Sequence, residues 1–361
     1  MATPLPPHLA AYRGQTVLVT GGLGFIGSNV AQALAVASPN RLILVDSMVP
    51  DCGANPFNIE GIREQVEVHR VDIGDRDAIT PLLLGVDVIF NLAGHVSHID
   101  SMRQPLLDLK LNTSDHVTFL ECCRQVSPQA RIVFTSTRQV YGRPEYLPLD
   151  EEHPTRPVDV NGVNKLAAEH FHRVYHSAHG LRSVILRLTN TYGPRQLVRH
   201  ARQGFIGWFV RQALDGEEIT LYGDGMQLRD LAFVGDVVEG LLKAGASDAA
   251  YGQTLNLGGG PPASLREIAE IVVRTAGSGS IGFVPWPEEK RAIDIGSCNT
   301  SYERAAALFD WQPRTPLDQG LGEMIEYYRR HRSAYWTAAG AAADPSPSRS
   351  TTSKPIGTTR P

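Results

Sequence analysis

Three glycines near the start of the chain have a spacing that could bring backbone close to phosphate. Gly21, Gly24 and Gly27 follow an apolar, β-branched run at residues 16–20 and overlap a helical pattern that begins at Phe25. In a strand–turn–helix unit such glycines allow a tight turn, approach of backbone to a pyrophosphate, and close packing of helix on strand. The free N–H groups and partial positive charge of the helix N-terminus then attract phosphate.

A carboxylate after the next apolar run extends this motif. Asp46 ends the run RLILVD at residues 41–46 and lies 19 residues beyond Gly27. At this spacing a carboxylate accepts hydrogen bonds from the adenosine ribose of a dinucleotide, and it repels the 2′-phosphate of NADP. The sequence therefore predicts an NAD site, and the alternative is a structural glycine turn in another kind of α/β protein.

The elements that would position this motif alternate regularly. Apolar runs predict strands at 16–20, 41–46, 66–72, 87–93, 131–137 and 183–189, and helical patterns occur at 25–34, 75–84, 105–126 and 161–179. Residues 47–64 are rich in turn-forming residues and are expected to be irregular. Strands that alternate with helices predict an α/β fold with a doubly wound, parallel Rossmann-type sheet.

The pattern changes after residue 189, where turns and shorter elements predict a smaller α/β C-terminal substrate domain. Such a domain would lie at the carboxyl ends of the strands, where ligands bind in these sheets. We assign residues 14–189 to the NAD-binding domain, with 237–257 returning to it, and residues 190–236 and 258–332 to the substrate domain. Residues 337–361 are rich in Ala, Pro, Ser and Thr, which predicts a disordered tail.

The composition argues against several classes of protein. The 361 residues carry a net charge of −4, with no basic run of the kind that binds nucleic acid. No apolar stretch approaches the roughly 18 residues that a membrane span needs, and the N-terminus lacks a signal-peptide pattern. The four cysteines lack metal-ligand spacing, so we expect no metal centre and a reduced, cytoplasmic location.

Ordered motifs over about residues 14–332 resemble the extended short-chain dehydrogenase/reductase superfamily, and within it the NAD-dependent nucleotide-sugar epimerase/dehydratase family. These motifs are TGGLGFIG at 20–27, VD at 45–46, VDI at 71–73, NLAG at 91–94, STRQVYG at 136–142, NTYGPRQ at 190–196, GDGMQLRD at 223–230 and NLGG at 256–259. The resemblance implies a tightly held NAD that oxidises a sugar hydroxyl transiently and later returns the hydride.

The resemblance also implies roles for individual residues. Thr137 corresponds to the hydroxyl residue that contacts the reacting oxygen, and Lys165 to the lysine that holds the nicotinamide ribose. The implied cofactor-binding residues are Gly21, Leu23, Gly24, Phe25, Ile26, Gly27, Asp46, Asp72, Ile73, Leu92, Ala93, Gly94 and Lys165.

A third group corresponds to residues that bind the nucleotide sugar, namely Arg138, Asn190, Arg195, Arg229, Arg291 and Asp294. Arg229 and Arg291 match a pair that clamps the two phosphates, and a planar guanidinium suits paired phosphate oxygens. Asp294 would accept hydroxyls of the nucleotide ribose. Arg138 either contacts a carboxylate or hydroxyls of the sugar, or is a surface residue.

One position departs from the family pattern. Asn161 lies four residues before Lys165, where the family has the Tyr that takes the hydroxyl proton. An amide has no accessible pKa for this task, although the prediction keeps Asn161 in the catalytic set as a group that could orient a hydroxyl. Either Lys165, His95, His98 or Tyr146 supplies the base, or the chain binds without turnover, or Asn161 is an introduced substitution.

A second departure bears on the reaction. The related sugar dehydratases carry an Asp–Glu pair directly after the strand-end hydroxyl residue, whereas this chain has Arg138 and Gln139. Neither side chain is an acid or base at neutral pH, so dehydration of that type is not expected.

We therefore expect an NAD-dependent nucleotide-sugar epimerase that inverts C4 of a UDP-hexose or a related sugar. The alternatives are other NAD-dependent sugar-nucleotide chemistry, as in an oxidoreductase or decarboxylase, and a non-catalytic protein that binds NAD and a sugar nucleotide. The resemblance further implies a homodimer formed through the helices at 105–126 and 161–179.

Overall fold

A seven-stranded parallel sheet forms the centre of the molecule. This computed structural model describes residues 5–288 and 294–336. The strands are β1 (Thr16–Thr20), β2 (Arg41–Val45), β3 (Glu67–His69), β4 (Val88–Asn91), β5 (Arg131–Thr137), β6 (Arg182–Leu188), β7 (Asn190–Tyr192), β8 (Glu218–Tyr222), β9 (Leu228–Arg229), β10 (Leu231–Phe233), β11 (Thr254–Leu257), β12 (Ala263–Ser264) and β13 (Ser280–Val284). The sheet has the order β11-β6-β5-β4-β1-β2-β3 with every neighbouring pair parallel, which confirms the doubly wound Rossmann-type prediction.

Helices connect the strands and cover the sheet. They are α1 (Pro7–Ala10), α2 (Phe25–Ala37), α3 (Arg76–Leu83), α4 (His98–Arg103), α5 (Pro105–Leu109), α6 (Asp115–Val126), α7 (Val160–His179), α8 (Phe205–Asp215), α9 (Val234–Ala246), α10 (Leu265–Ala276), α11 (Glu303–Phe309), α12 (Leu317–Arg330) and α13 (Arg332–Trp336). No helix in the two described ranges combines the length and apolarity that a membrane crossing requires.

Both faces of the central sheet are buried, as the continuous apolar strands require. Val17 and Val19 of β1 point into a core shared with α2 and α9, whereas Leu18 points into a core shared with α3 and α6. This alternation is the period-two geometry of a strand, and here both faces find apolar partners. The sheet is therefore a rigid platform for the side chains at its carboxyl edge.

A separate apolar core lies among α8, α10, α12 and β8, with Phe209, Val272 and Leu321 among its fully or nearly fully buried members. The strands near it form two-stranded pairs: β7 with β10, β9 with β12, and β8 with β13. Strand β11 lies among these elements in the chain, after β10 and before β12, and pairs with β6 at the edge of the central sheet.

Three local differences from the sequence-based expectations have physical causes. Residues 56–65 form a 3-10 helix where an irregular segment is expected. The residue before this helix, Asn55, caps it, because its side chain accepts a hydrogen bond from Phe57 N. The strand expected at 66–72 shortens to β3, which has a single strand neighbour at the sheet edge. The helix expected at 105–126 contains a π turn at Lys110–Ser114, and two side chains of this turn bind neighbouring backbone. The expected tail at 337–361 lies outside the described residues.

Candidate active site

The turn after β1 requires glycine at two positions. Gly21 has a φ of +66°, and a Cβ placed there would lie 3.1 Å from backbone atoms of Ala93. A Cβ on Gly27 would lie 2.1 Å from the carbonyl oxygen of Gly21, so α2 can pack against the strand end only with glycine there. No side chain caps the N-terminus of α2 at Gly24. The turn therefore presents free N–H groups to a ligand phosphate.

Backbone groups hold the carboxylate of Asp46 in place. Its Oδ2 accepts a hydrogen bond from Leu23 N at 3.1 Å, and its Oδ1 accepts one from Met48 N at 2.8 Å. Burial raises the pKa of Asp46, and these two hydrogen bonds oppose the shift. The carboxylate lines the cleft beside the glycine turn, where its remaining lone pairs can accept ribose hydroxyls.

One cleft at the carboxyl edge of the sheet brings most of the expected cofactor residues together. Its lining includes Gly21, Gly24, Phe25, Ile26, Gly27, Asp46, Asp72, Ile73, Leu92, Ala93 and Gly94. Leu23 is placed differently, because its side chain is buried in the core and only its N–H reaches Asp46. Asp72 pairs with Lys110 at 2.8 Å, which holds the pKa of this carboxyl below its usual value although burial raises it.

The amine of Lys165 lies next to Gly94, which lines this cleft, although Lys165 itself is not among the lining residues. A Cβ on Gly94 would lie only 2.8 Å from Nζ, which itself donates to the carbonyl of Thr135 at 3.3 Å. Nζ also lies 5.1 Å from the centre of the Phe134 ring. Burial lowers the pKa of Lys165 to about 8, and the charges of Asp108 and Glu169 only partly oppose this shift.

The hydroxyl of Thr137 is at the end of β5, where a 3-10 turn begins. Its Oγ1 accepts a hydrogen bond from Gln139 N at 3.2 Å. The same oxygen keeps its hydrogen for a further acceptor, because a hydroxyl both accepts and donates. The structure therefore gives Thr137 a capping contact and leaves a donor for a substrate oxygen.

Asn161 joins helix α7 to the loop that follows β4. Its buried Nδ2 donates to the carbonyl of His95 at 2.7 Å and to Oδ2 of Asp108 at 3.1 Å. Asp108 also contacts His95 Nδ1 at 3.1 Å and accepts a bond from Asn164 at 2.8 Å. These hydrogen bonds hold the pKa of Asp108 below its usual value, although burial alone raises it. A direct catalytic role of Asn161 stays a prediction.

The four candidate bases have different surroundings. His98 contacts Asp159 through Nδ1 and Gln139 through Nε2, and its side chain is 40% exposed. Tyr146 donates to Asp150 at 2.7 Å, and this bond raises the pKa of Tyr146 to about 12. The contacts of His95 and Lys165 are given above. The sequence analysis did not single out Asp108 or Asp159, although the position of Asp159 before a helical pattern is an N-cap signal.

Two of the expected substrate-binding arginines lie close enough for their charges to interact. The buried Arg138 donates to Oδ1 of Asn190 at 3.3 Å, and its NH1 has no hydrogen-bond partner within the described ranges. Arg229 donates to the carbonyl of Gly296 at 2.6 Å and contacts Asp294 at 3.4 Å. Burial, and secondly the charge of Arg138, lower the pKa of Arg229. These groups form a positively charged region that suits an anionic ligand.

Arg195 makes its contacts elsewhere. Its guanidinium donates to the carbonyl of Asn58 at 3.1 Å and to Oδ1 of Asn29 at 2.9 Å, and lies 5.5 Å from the centre of the Tyr327 ring. Its role toward a sugar diphosphate stays a prediction. Arg291 lies outside the described residues.

The comparison with protein families decides how this site is classified. The family model described as "NAD dependent epimerase/dehydratase family" matches residues 17–258. The chain belongs to this family. The match covers the glycine turn, Asp46, Thr137 and Lys165, so the resemblance inferred from the sequence motifs is confirmed.

Members of the NAD-dependent epimerase/dehydratase family with different activities resemble this chain about equally. It is 30% identical over 323 residues to UDP-glucuronic acid decarboxylase 1 of Xenopus tropicalis, covering 87% of this chain and 72% of the relative. It is 31% identical over 316 residues to UDP-glucose 4-epimerase of Mycolicibacterium smegmatis, covering 86% and 98%. The crystal structure of UDP-glucuronic acid 4-epimerase from Bacillus cereus, in complex with UDP-glucuronic acid and NAD, superposes with a TM-score of 0.78 at 26% identity, covering 88% of this chain and 100% of that chain.

NAD is the cofactor of this family, and the cleft fits it. The side-chain-free turn at Gly21 and Gly27 admits a pyrophosphate, and the Asp46 carboxylate is available to ribose hydroxyls. Nucleotide-sugar epimerase/dehydratase chemistry is therefore supported for this chain.

Proposed function

We propose that this protein is an NAD-dependent nucleotide-sugar epimerase that inverts C4 of a UDP-hexose or related sugar through a transient keto intermediate. The observation that carries the proposal is the buried amine of Lys165 beside Gly94, a residue that lines the NAD cleft. Bound NAD supplies a reversible hydride acceptor, so the stereocentre can be oxidised and reduced again without net redox change.

Lys165 and Thr137 have distinct tasks in the proposed reaction. Lys165 keeps most of its charge at neutral pH because its pKa is about 8, and two of its three N–H donors remain for ribose hydroxyls. Its charge also favours removal of a proton from a nearby hydroxyl. Thr137 donates to the reacting oxygen and fixes its position.

The side chains after Thr137 argue against dehydration as the activity. Elimination of water from the sugar needs a proton donor and acceptor near its outer carbons. Arg138 and Gln139 occupy those positions, and neither exchanges a proton at neutral pH. Reversible oxidation at one carbon requires neither group, which favours epimerisation.

One observation favours a second candidate, which is decarboxylation of a UDP-hexuronic acid. The NH1 group of Arg138 is buried and has no hydrogen-bond partner in the part of the chain that the structure describes. A substrate carboxylate would satisfy it with a charge-assisted hydrogen bond. The same contact also suits C4 epimerisation of a UDP-hexuronic acid, so product analysis must separate the two reactions.

The sequence-based expectations on assembly and location remain part of the proposal. Apolar side chains on α5 and α7 are exposed, including Leu106, Val163, Phe171 and Val174. They support a homodimer, because exposed apolar side chains on adjacent helices are typical of an interface. All four cysteines are free thiols, in agreement with a cytoplasmic location.

The test uses the purified full chain with NAD and four separate substrates: UDP-glucose, UDP-galactose, UDP-glucuronic acid and UDP-galacturonic acid. We expect interconversion of one C4-epimeric pair, with no net accumulation of NADH. Carbon dioxide and a UDP-pentose would instead identify the decarboxylase. Stoichiometric NADH release would identify an oxidoreductase. Binding of all four without any product would contradict the proposal and favour the non-catalytic alternative.

A further inference from the structure

The proposed reaction needs a proton acceptor that Asn161 cannot provide. Its amide has no lone pair basic enough for this task, and Nδ2 already donates to the carbonyl of His95 and to Asp108. Asn161 therefore holds the loop after β4 against α7, and a base has to come from another part of the site.

The loop after β4 ends at His98, whose neutral imidazole has a defined tautomer. His98 is the first residue of α4, and its Nδ1 contacts the carboxylate of Asp159, which can only accept a hydrogen bond. The Nε2 of His98 contacts Nε2 of Gln139, an amide nitrogen that can only donate. The proton of the neutral ring is therefore on Nδ1, and the basic lone pair is on Nε2.

Asp159 is itself held rigidly. It caps the N-terminus of α7, and its Oδ1 accepts a hydrogen bond from Gly162 N at 2.7 Å while Oδ2 faces His98. Its side chain is only 3% exposed, whereas that of His98 is 40% exposed. A buried carboxylate thus orients an imidazole that is itself partly exposed.

The basic nitrogen is linked through Gln139 to the hydroxyl expected to bind the reacting oxygen. Gln139 contacts His98 through its side chain and Thr137 through its backbone N–H, so one residue bridges the two groups. The Oε1 of Gln139 is buried without a hydrogen-bond partner among the described residues. Rotation of this amide would let Oε1 accept a hydrogen bond from the protonated Nε2 after His98 becomes charged.

We propose that His98, oriented by Asp159, is the general base that replaces the missing tyrosine in this chain. The inference rests on the proposed function. A substrate hydroxyl takes the place of the Gln139 amide as the donor to Nε2, and its O–H proton passes to His98. The carbon loses hydride to NAD⁺, so a ketone and NADH form. Return of the hydride to the opposite face and of the proton from His98 restores NAD⁺ and neutral imidazole.

The other candidates are less suitable as the base because of burial, a raised pKa or a positive charge. His95 is nearly buried and contacts Asp108 through Nδ1, while its Nε2 faces Asp100 at 4.0 Å. Tyr146 carries a raised pKa and donates to Asp150. Lys165 is mostly charged at neutral pH and already donates to a carbonyl, so it has no free lone pair in that state.

The experiment compares His98→Ala, His98→Gln and a matched control, His179→Ala, in the full chain with NAD bound. The exposed His179 ends the same helix that Asp159 caps, about 30 Å from Asp159 at 1.5 Å per residue. We expect His98→Ala and His98→Gln to lower kcat at least about 100-fold with a small change in KM, and His179→Ala to leave both unchanged. Added imidazole should restore turnover to His98→Ala, since the cavity left by the ring admits it.

A second measurement does not depend on turnover. The ¹⁵N resonances of the His98 ring should show a protonated Nδ1 and an unprotonated Nε2 in the neutral state. Asp159→Asn should shift His98 toward the other tautomer and lower kcat more than it changes KM, which a purely structural loss would not do. An Nε2-protonated tautomer in the unsubstituted protein would overturn the assignment.

The outcomes separate this inference from the proposed function. If the unsubstituted chain turns over and His98→Ala retains its activity, only the assignment of the base is wrong. A loss in His98→Ala that imidazole does not restore, with unchanged binding of UDP-glucose, would make His98 a positioning residue and also overturn it. An unsubstituted chain that yields neither product nor transient NADH would overturn the proposed function and the base together.

Discussion

The two halves of the ligand site at the carboxyl edge of the sheet are formed by different kinds of groups. Beside β1 and β2 the cofactor site is mostly backbone, with close approach at Gly21 and Gly27 and a carboxylate, Asp46, that two N–H groups hold. Beside β4, β5 and α7 the site is a network of side chains, in which Asn161 and His98 join elements far apart in the chain.

This difference indicates which half of the site can accept substitutions while the fold is kept. A site made of backbone tolerates almost no substitution, because a Cβ added at Gly21, Gly24 or Gly27 meets neighbouring main chain. In a side-chain network, one polar residue can take over the task of another if its position and protonation state fit. The chain accordingly keeps the family motif in the cofactor half and has Asn161, Arg138 and Gln139 in the reaction half.

The largest effect is expected in the backbone-built half. Gly27→Ala places a Cβ 2.1 Å from the carbonyl oxygen of Gly21, so the turn and the start of α2 must separate. We expect NAD affinity, measured by calorimetry, to fall roughly 1,000-fold, which corresponds to about 4 kcal/mol. The control Gly61→Ala has nothing within 4 Å of the new Cβ and should bind NAD normally. Equal binding by both variants would contradict the account of the turn.

A smaller effect, dependent on pH, is expected at Lys165. Its pKa is about 8 when folded against 10.5 as the ordinary value, so from pH 8 to 10.5 the unfolded chain binds more protons and stability rises with pH. The cost of burying the charge, on the order of 3 kcal/mol below pH 8, disappears across this window. Urea unfolding of the NAD-free protein should show this rise relative to Lys165→Met. Parallel pH profiles of the two proteins would show that the lysine is not perturbed.

The smallest effect is expected at Asn161. Asn161→Ala removes the hydrogen bonds to the carbonyl of His95 and to Asp108, so the free energy of unfolding should fall by about 1–2 kcal/mol. Because the loop carries His98, kcat should also fall, but less than in His98→Ala. Chemical denaturation and steady-state kinetics measure both quantities. If Asn161→Ala lost more turnover than His98→Ala, the amide rather than the imidazole would be central to catalysis.

The sequence was most informative about features that depend on local order along the chain. The strand–glycine–helix unit at residues 16–34 and the carboxylate of Asp46 obey short-range rules, so the sheet and the NAD cleft could be predicted. The network around His98 could not, because Gln139 comes from the turn after β5 and Asp159 and Asn161 from the start of α7, and they meet the loop after β4 only through tertiary packing. The π turn at Lys110–Ser114 is a similar case, since its contacts are with residues distant in sequence.

The most direct test of the proposed reaction follows a label rather than a rate. The full chain with unlabelled NAD is incubated with UDP-glucose that carries deuterium at C4, and the products are analysed by NMR. The account predicts UDP-galactose with deuterium retained at C4, because the same hydride leaves the sugar and returns to it. Product without the label would contradict reversible hydride transfer. If the unsubstituted chain forms no C4 epimer and transfers no label with any of the UDP-hexoses and UDP-hexuronic acids tested in this way, epimerisation itself is contradicted.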